Sequence, residues 1–277
     1  MPRMTIFGPM LDTRPLFPEE RRELLRSLSP AAWSRATVCP GWDVHDVVGH
    51  VLNDYLRRLS GSRDHFTGAI FVNDETLPSY LARTNDEFVR AARQCSPQVM
   101  IELLEHLGPQ LDQMWAKTDL ATPADLDVSW AGPYASPAWL DIARDYTEFW
   151  VHQQQIRDAV DCPGADRPQL QHSVIDTFLR GLPHSLRAHP RPDGTTVRVV
   201  VSGAAGGQWC AARHDGRWRM APPGNSSVEA ARITIGQHDL WRLATRSITV
   251  AEGRRRAELH GDPALAEAAT SLFAVVA

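Results

Sequence analysis

The sequence predicts a mixed fold: an all-helical N-terminal bundle over residues 1–190, then a small α+β domain over 191–277. Three observations carry that prediction. Apolar residues recur at helical spacing through the first part, as in Val44, Val47, Val48, Val51, Leu52, Tyr55, Leu56 and Leu59. After Pro190 the texture turns β-branched, as in Thr195-Thr196-Val197-Arg198-Val199-Val200-Val201. Breakers such as Cys39-Pro40-Gly41, Cys162-Pro163-Gly164 and Gly261-Asp262-Pro263 stand where helices must start or stop.

The elements follow in order. Pro18 to Leu28 is a helix with acidic residues early and arginines late, as its dipole favours. Asp43, with Asp46 three residues on, caps a second helix that ends near Ser60-Gly61. A third runs from about Pro78 towards Cys95. Ser96-Pro97 starts a fourth, reaching about Lys117 with a kink expected at Gly108-Pro109. Residues 119–136 are a loop. Ser136-Pro137 repeats the cap signal before a helix from Ala138 to about Val160, and a further helix over 169–189 is broken near Gly181 and Pro183. Beyond residue 190, Gln208 to Arg213 and Trp218 to Met220 flank an Asp215-Gly216 turn and form a hairpin. Arg232 to Ile235 is a strand and Asp239 to Ala244 a short helix. Ile248-Thr249-Val250 and Ala257 to Leu259 read as extended, and Asp262-Pro263 caps a terminal helix from Ala264 to Val276.

Composition narrows the function. The 277 residues carry 29 Lys+Arg against 33 Asp+Glu, a net charge of −4 that argues against non-specific nucleic-acid binding. Hydrophobic residues are 43% and charged residues 22%, the balance of a soluble globular protein. No run approaches the ~18 apolar residues of a membrane span. The first residues lack a signal-peptide apolar core, so a cytoplasmic protein is expected. Lys117 is the only lysine among the 29 basic residues, the bias of a GC-rich coding sequence. Cys39, Cys95, Cys162 and Cys210 are widely spaced with no CxxC pair, so four reduced, mostly buried thiols are expected.

The most informative stretch is Asp145-Tyr146-Thr147-Glu148-Phe149-Trp150-Val151-His152. Glu148 and His152, four apart, share one helix face. Such a pair is either a surface pair or two ligands of one metal ion. His50, in mid-helix among valines, is the candidate third ligand, since a buried imidazole needs a partner. Read without a metal, it is a hydrogen-bonded core histidine. Two His and one Glu make a catalytic-type zinc shell that keeps one position open.

The segment Thr37-Val38-Cys39-Pro40-Gly41-Trp42-Asp43-Val44-His45-Asp46-Val47-Val48-Gly49-His50-Val51, with the later Glu148-x-x-x-His152, resembles the signature of the mycothiol-dependent maleylpyruvate isomerase family, in the DinB/YfiT-like metalloenzyme superfamily. The last part, ending in Gly261-Asp262-Pro263-Ala264-Leu265, resembles the sterol-carrier-like α+β domain that often follows. The resemblance implies a DinB-like four-helix bundle with a divalent metal, most often zinc, held by His50, Glu148 and His152. It implies mycothiol, the small thiol of many high-GC bacteria, as cosubstrate, and an enzyme that performs thiol S-transfer to, or cis-trans isomerisation of, a small electrophilic metabolite. Relatives often carry Asp where this chain has Gln155, which removes a negative charge beside the ligands. The competing reading is a non-catalytic metal- or small-molecule-binding regulatory or carrier protein.

Other residues carry weaker signals. Arg157, one turn after His152, either faces the cleft or forms a structural ion pair. Arg242 and Arg246 are candidate contacts for an anionic substrate or else solvated arginines, and Arg254-Arg255-Arg256 reads as a turn. His45 is expected to be exposed or capping, and Cys39 a buried structural thiol. Trp42, Trp130, Trp139 and Trp150 are expected in the core or pocket wall. Gly203-Ala204-Ala205-Gly206-Gly207 lacks the lysine and the following helix of a phosphate loop, and no G-x-S-x-G is present.

Overall fold

A computed structural model describes residues 5–28, 32–222 and 228–274. The helices are α1 (Phe17–Ser27), α2 (Val44–Arg58), α3 (Leu77–Ala92), α4 (Pro97–Lys117), α5 (Ala138–Ala159), α6 (Pro168–Leu179) and α7 (Leu182–Ser185). Then come β1 (Thr195–Ser202), β2 (Gly207–His214), β3 (Arg217–Ala221), β4 (Val228–Gly236), α8 (Gln237–Ala244), α9 (Val250–Arg256), β5 (Glu258–Gly261) and α10 (Pro263–Thr270). A helical part therefore precedes a mixed α+β part.

Local chemistry sets the helix ends. Asp43 accepts from the Asp46 N–H at 3.0 Å, and Asp46 accepts from the Asp43 N–H at 3.2 Å, a reciprocal capping box at the start of α2. Gly41, at φ +79°, closes the turn before it, with the Trp42 N–H donating to the Cys39 carbonyl at 3.0 Å. Ser96 caps α4 and Asp262 caps α10. The helix α4 continues through Pro109, and α2 runs on into a π-helical turn, Leu59–Arg63.

The chain groups into two compact units, each discontinuous in sequence, rather than dividing at residue 190. One comprises 13–119 and 148–166; the other holds 5–12, 120–147 and 167–274. Residues 167–190 belong with the sheet because α7 packs on β2 and β3 and α6 packs on α8. The buried faces of Leu170, Val174, Phe178, Leu182 and Leu186 make those contacts apolar. In the first unit, α2 is the hub, against α3 and α4. A β-carbon on Gly49 would lie 3.2 Å from that of Ala92, so glycine lets α3 approach α2 closely.

The sheet has the order β3-β2-β1-β4-β5. Pairing is antiparallel except between β1 and β4, which are parallel. Val197, Val199 and Val201 are buried, as is Ile233 opposite Val199. The hairpin across Asp215-Gly216 forms as expected, with Arg213 opposite Trp218. The Gly203–Gly207 segment joins two antiparallel strands and is no phosphate loop.

Several expectations are corrected. Val250, expected to be extended, instead opens α9, because Thr249 accepts from the Glu252 N–H at 3.1 Å and caps it. The three arginines there form the last turn of α9, where a helix dipole favours cations. The terminal helix stops at Thr270, short of Val276, which lies outside the described residues. The Ser136 hydroxyl accepts from the Val128 N–H at 2.9 Å and so ties the preceding loop. The thiols are free, but only Cys210 is fully buried; Cys39 and Cys95 are half-buried and Cys162 is exposed.

Candidate metal centre

Two helix segments of the first unit bring the candidate ligands together. On α2, Val47, Val48 and Val51 are fully buried and set the rotation of the helix, which turns the neighbouring His50 inward at 1% exposure. On α5, Phe149, Trp150 and Val151 are buried. Phe149 meets Tyr55 at 4.9 Å and Phe17 at 6.0 Å between ring centres. Trp150 donates to the Ala165 carbonyl at 2.8 Å and anchors the helix. These contacts hold Glu148 and His152 on the face that meets His50.

The geometry is tight. One donor atom from each of His50, Glu148 and His152 lies within 4.8 Å of the others, and this is the one such cluster among the described residues. His50 Nε2 is 3.2 Å and His152 Nε2 3.6 Å from Glu148 Oε1. The two imidazoles meet edge-on with ring centres 4.7 Å apart. The set fits a cation on chemical grounds. His50 Nδ1 and His152 Nε2 are buried without a hydrogen-bond partner, a costly state for polar nitrogens beside a carboxylate. Two imidazoles and a carboxylate are a donor set that suits zinc and its neighbours.

Gln155 orients one ligand. Its Oε1 accepts from His152 Nδ1 at 2.8 Å, and the Cys39 thiol donates to the same oxygen at 3.2 Å. An amide oxygen can only accept, so a proton sits on Nδ1, and a cation bound at Nε2 would take the place of the second ring proton. Trp42 packs against His50 with ring centres 5.4 Å apart and walls the site.

The electrostatics match a site that exchanges a proton for a cation. Burial disfavours the Glu148 carboxylate, but the adjacent His152 and His50 imidazoles outweigh it and lower its pKa to about 2. Burial likewise disfavours charge on His152, yet the adjacent Cys39 and Glu148 side chains raise its pKa to about 10. The next residue along the helix, Gln153, donates to the Glu20 carbonyl at 2.6 Å and to Glu20 Oε1 at 3.1 Å. Burial raises the Glu20 carboxyl to about 8, with Asp112 adding to the shift and Arg21 and Arg157 opposing it.

The other sequence candidates have different surroundings. Arg157 is buried and donates to the Glu23 carbonyl at 2.7 Å, the Glu23 carboxylate at 3.2 Å and the Cys162 carbonyl at 3.1 Å, a structural tie. Arg246 donates to the carbonyls of Leu243, Leu272 and Ser271. Arg242 lies over the Trp241 ring. His45 is half-buried against Trp33, neither exposed nor a cap. Trp139 and Trp150 are core residues, and Trp130 meets Phe178 edge-on. Asp54 escaped the sequence reading; its Oδ2 lies 3.6 Å from His50 Nε2. The same four-residue spacing that marks Glu148 and His152 would have found it.

A family model, the mycothiol maleylpyruvate isomerase N-terminal domain, matches residues 18–157. No curated protein matches the chain. A crystal structure of a histidine-to-alanine mutant of the mycothiol-dependent maleylpyruvate isomerase is similar in fold, with a TM-score of 0.52 at 14% identity over 88% of this chain and 92% of that one. A second crystal structure of that isomerase aligns over the same shares at 14% identity with a TM-score of 0.48. With the family model spanning half of its residues, the chain belongs to the mycothiol maleylpyruvate isomerase N-terminal domain family.

Proposed function

We propose that this protein is a metal- and mycothiol-dependent isomerase of a small unsaturated dicarboxylic metabolite of the maleylpyruvate type. The observation that carries the reading is the convergence of His50, Glu148 and His152, with two orphaned imidazole nitrogens, in a chain of this family. These three residues would hold a divalent ion, zinc by donor chemistry, with a position left for the thiol. Bound there, the ion supplies a Lewis acid that ionises a thiol whose ordinary pKa of about 8.5 leaves it mostly protonated at neutral pH.

The chain's own groups do the rest. Glu148 stays ionised at neutral pH, so its charge is always available. Gln155 holds the proton at His152 Nδ1 and keeps Nε2 aimed at Glu148. Trp42 shields His50 from water. Addition of the thiolate to the activated double bond would leave a single bond free to rotate, and its loss would restore the double bond with the other geometry. Retention of sulfur would make the same first step an S-transfer. The family name favours isomerisation. A reducing cytoplasm suits the four free thiols.

Wild type and Glu148→Gln test this together, by elemental analysis for metal and by maleylpyruvate turnover with and without mycothiol. The expected result is near-stoichiometric metal and thiol-dependent turnover in wild type, with metal affinity lowered on the order of a thousandfold in the variant. Metal-free wild type, or turnover indifferent to thiol, would overturn the reading.

A further inference from the structure

A second feature of the same unit lies on the stripe of α2 that carries His50. Asn53 and Arg57 follow His50 by three and seven residues, which places all three on one helix face. At 1.5 Å per residue, Arg57 stands about 10 Å from His50 along the axis. Beside Asn53 and Arg57, residues of α3 complete a groove of about 400 Å³ whose lining adds Tyr80, Thr84, Glu87 and Phe88. That volume is in the range of small-molecule sites.

The lining has a definite chemistry. Asn53 Nδ2 donates to Asn85 Oδ1 at 3.0 Å and Arg57 reaches the same oxygen at 3.5 Å, so a buried amide pair orders the floor. Phe88 supplies aromatic surface, and Tyr80, its ring held between Phe71 at 4.4 Å and the Arg83 guanidinium at 5.5 Å, lines the groove in a fixed orientation. Thr84, Arg57 and Glu87 supply a hydroxyl, a fork of donors and an acceptor. Glu87 is paired with Arg83 at 3.2 Å, Arg83 also with Glu75 at 2.8 Å, and Asp54 adds a further carboxylate on the same side of α2, so Arg57 and Arg83 are matched by Glu75, Glu87 and Asp54. A dicarboxylate would meet no net positive charge there. An uncharged, hydroxyl-rich ligand would find donors, acceptors and apolar ring faces together.

The geometry points to this groove as the seat of the sugar-like body of the thiol cosubstrate, with its sulfur end reaching back along α2 towards His50, Glu148 and His152. The assignment rests on the proposed thiol dependence and adds where thiol specificity resides. Mycothiol is a cysteine derivative borne on a polyhydroxylated, uncharged body, and N-acetylcysteine shares its reactive end without that body.

The test titrates the zinc-loaded protein with mycothiol and with N-acetylcysteine by calorimetry, in wild type, Arg57→Ala and Tyr80→Ala. Zinc content and thermal melting serve as controls, and the two variants lie on different helices so that a folding defect in one leaves the other informative. The expected result is that wild type prefers mycothiol and that each variant weakens mycothiol about tenfold or more, the worth of one or two hydrogen bonds. N-acetylcysteine affinity and zinc content should be unchanged. Wild-type affinity for mycothiol in both variants, or equal weakening of both thiols, would overturn the groove assignment and leave the metal reading standing. An Arg57-dependent affinity for maleate in place of mycothiol would overturn it too. Wild type that binds neither thiol would remove the proposed function, and the groove assignment with it.

Discussion

Two carboxylates, one in each compact unit, are buried to nearly the same degree and end in opposite states. Asp176 on α6 has a side-chain exposure of 13% and Glu148 on α5 one of 15%. Both oxygens of Asp176 are taken: Trp209 Nε1 donates to one at 2.6 Å and Arg180 Nη2 to the other at 2.7 Å. Arg180 also donates to the carbonyls of Phe7 and Pro9 at 2.6 and 2.9 Å. Glu148 instead faces two imidazoles that retain unpartnered nitrogens. A buried charge answered by fixed donors is structural. One answered by groups that still lack partners is poised for something further.

The comparison can be broken at its structural side first. Asp176→Ala leaves the buried Arg180 guanidinium without a counter-charge and should cost about 3 kcal/mol of unfolding free energy, read by chemical denaturation. Zinc affinity of the folded variant should stay at the wild-type value. A stable variant that loses zinc would put the two carboxylates in one functional network and end the contrast.

A smaller effect is expected around the ligand. Gln155→Leu removes the acceptor at His152 Nδ1 and should weaken zinc roughly 10- to 100-fold. Gln155→Glu should restore or exceed wild-type affinity, since it returns an acceptor with charge. Competition with a chromophoric chelator measures both. Wild-type affinity in Gln155→Leu would show that this hydrogen bond does not position the ligand.

Away from both carboxylates, a pH dependence of stability is expected. The Glu20 carboxyl is raised by burial from 4.5 to about 8, so the unfolded chain releases its proton before the folded one. Its contribution is fully present below pH 4.5 and is lost as pH rises towards 8. Glu20→Gln should flatten that decline, and denaturation midpoints across the window would detect it. An unchanged slope would show that Glu20 titrates normally.

Much of this was legible locally. Asp43 and Asp46, Ser96-Pro97 and Asp262-Pro263 announce their helix starts because capping depends on a few adjacent residues. Glu148 and His152 share a face by spacing alone. His50 was different. Its place in mid-helix among valines marked it as an imidazole in need of a partner, but nothing in its neighbourhood says that α2 meets α5, and the resemblance of the Cys39–His50 segment was needed to join it to Glu148 and His152. The groove was illegible because Asn53 and Arg57 join Tyr80 and Thr84 only through α2–α3 packing. The β-branched Ile248-Thr249-Val250 masked a helix start because propensity outweighed the cap in a short window. The two interleaved units were not legible, because texture marks secondary structure whereas units form by long-range burial.

X-ray absorption at the zinc edge of the loaded protein, before and after adding mycothiol, tests the central claim most directly. Two imidazoles and an oxygen ligand are expected before addition, and a sulfur scatterer after it. A spectrum without imidazole, or one that gains no sulfur at saturating mycothiol, would contradict it.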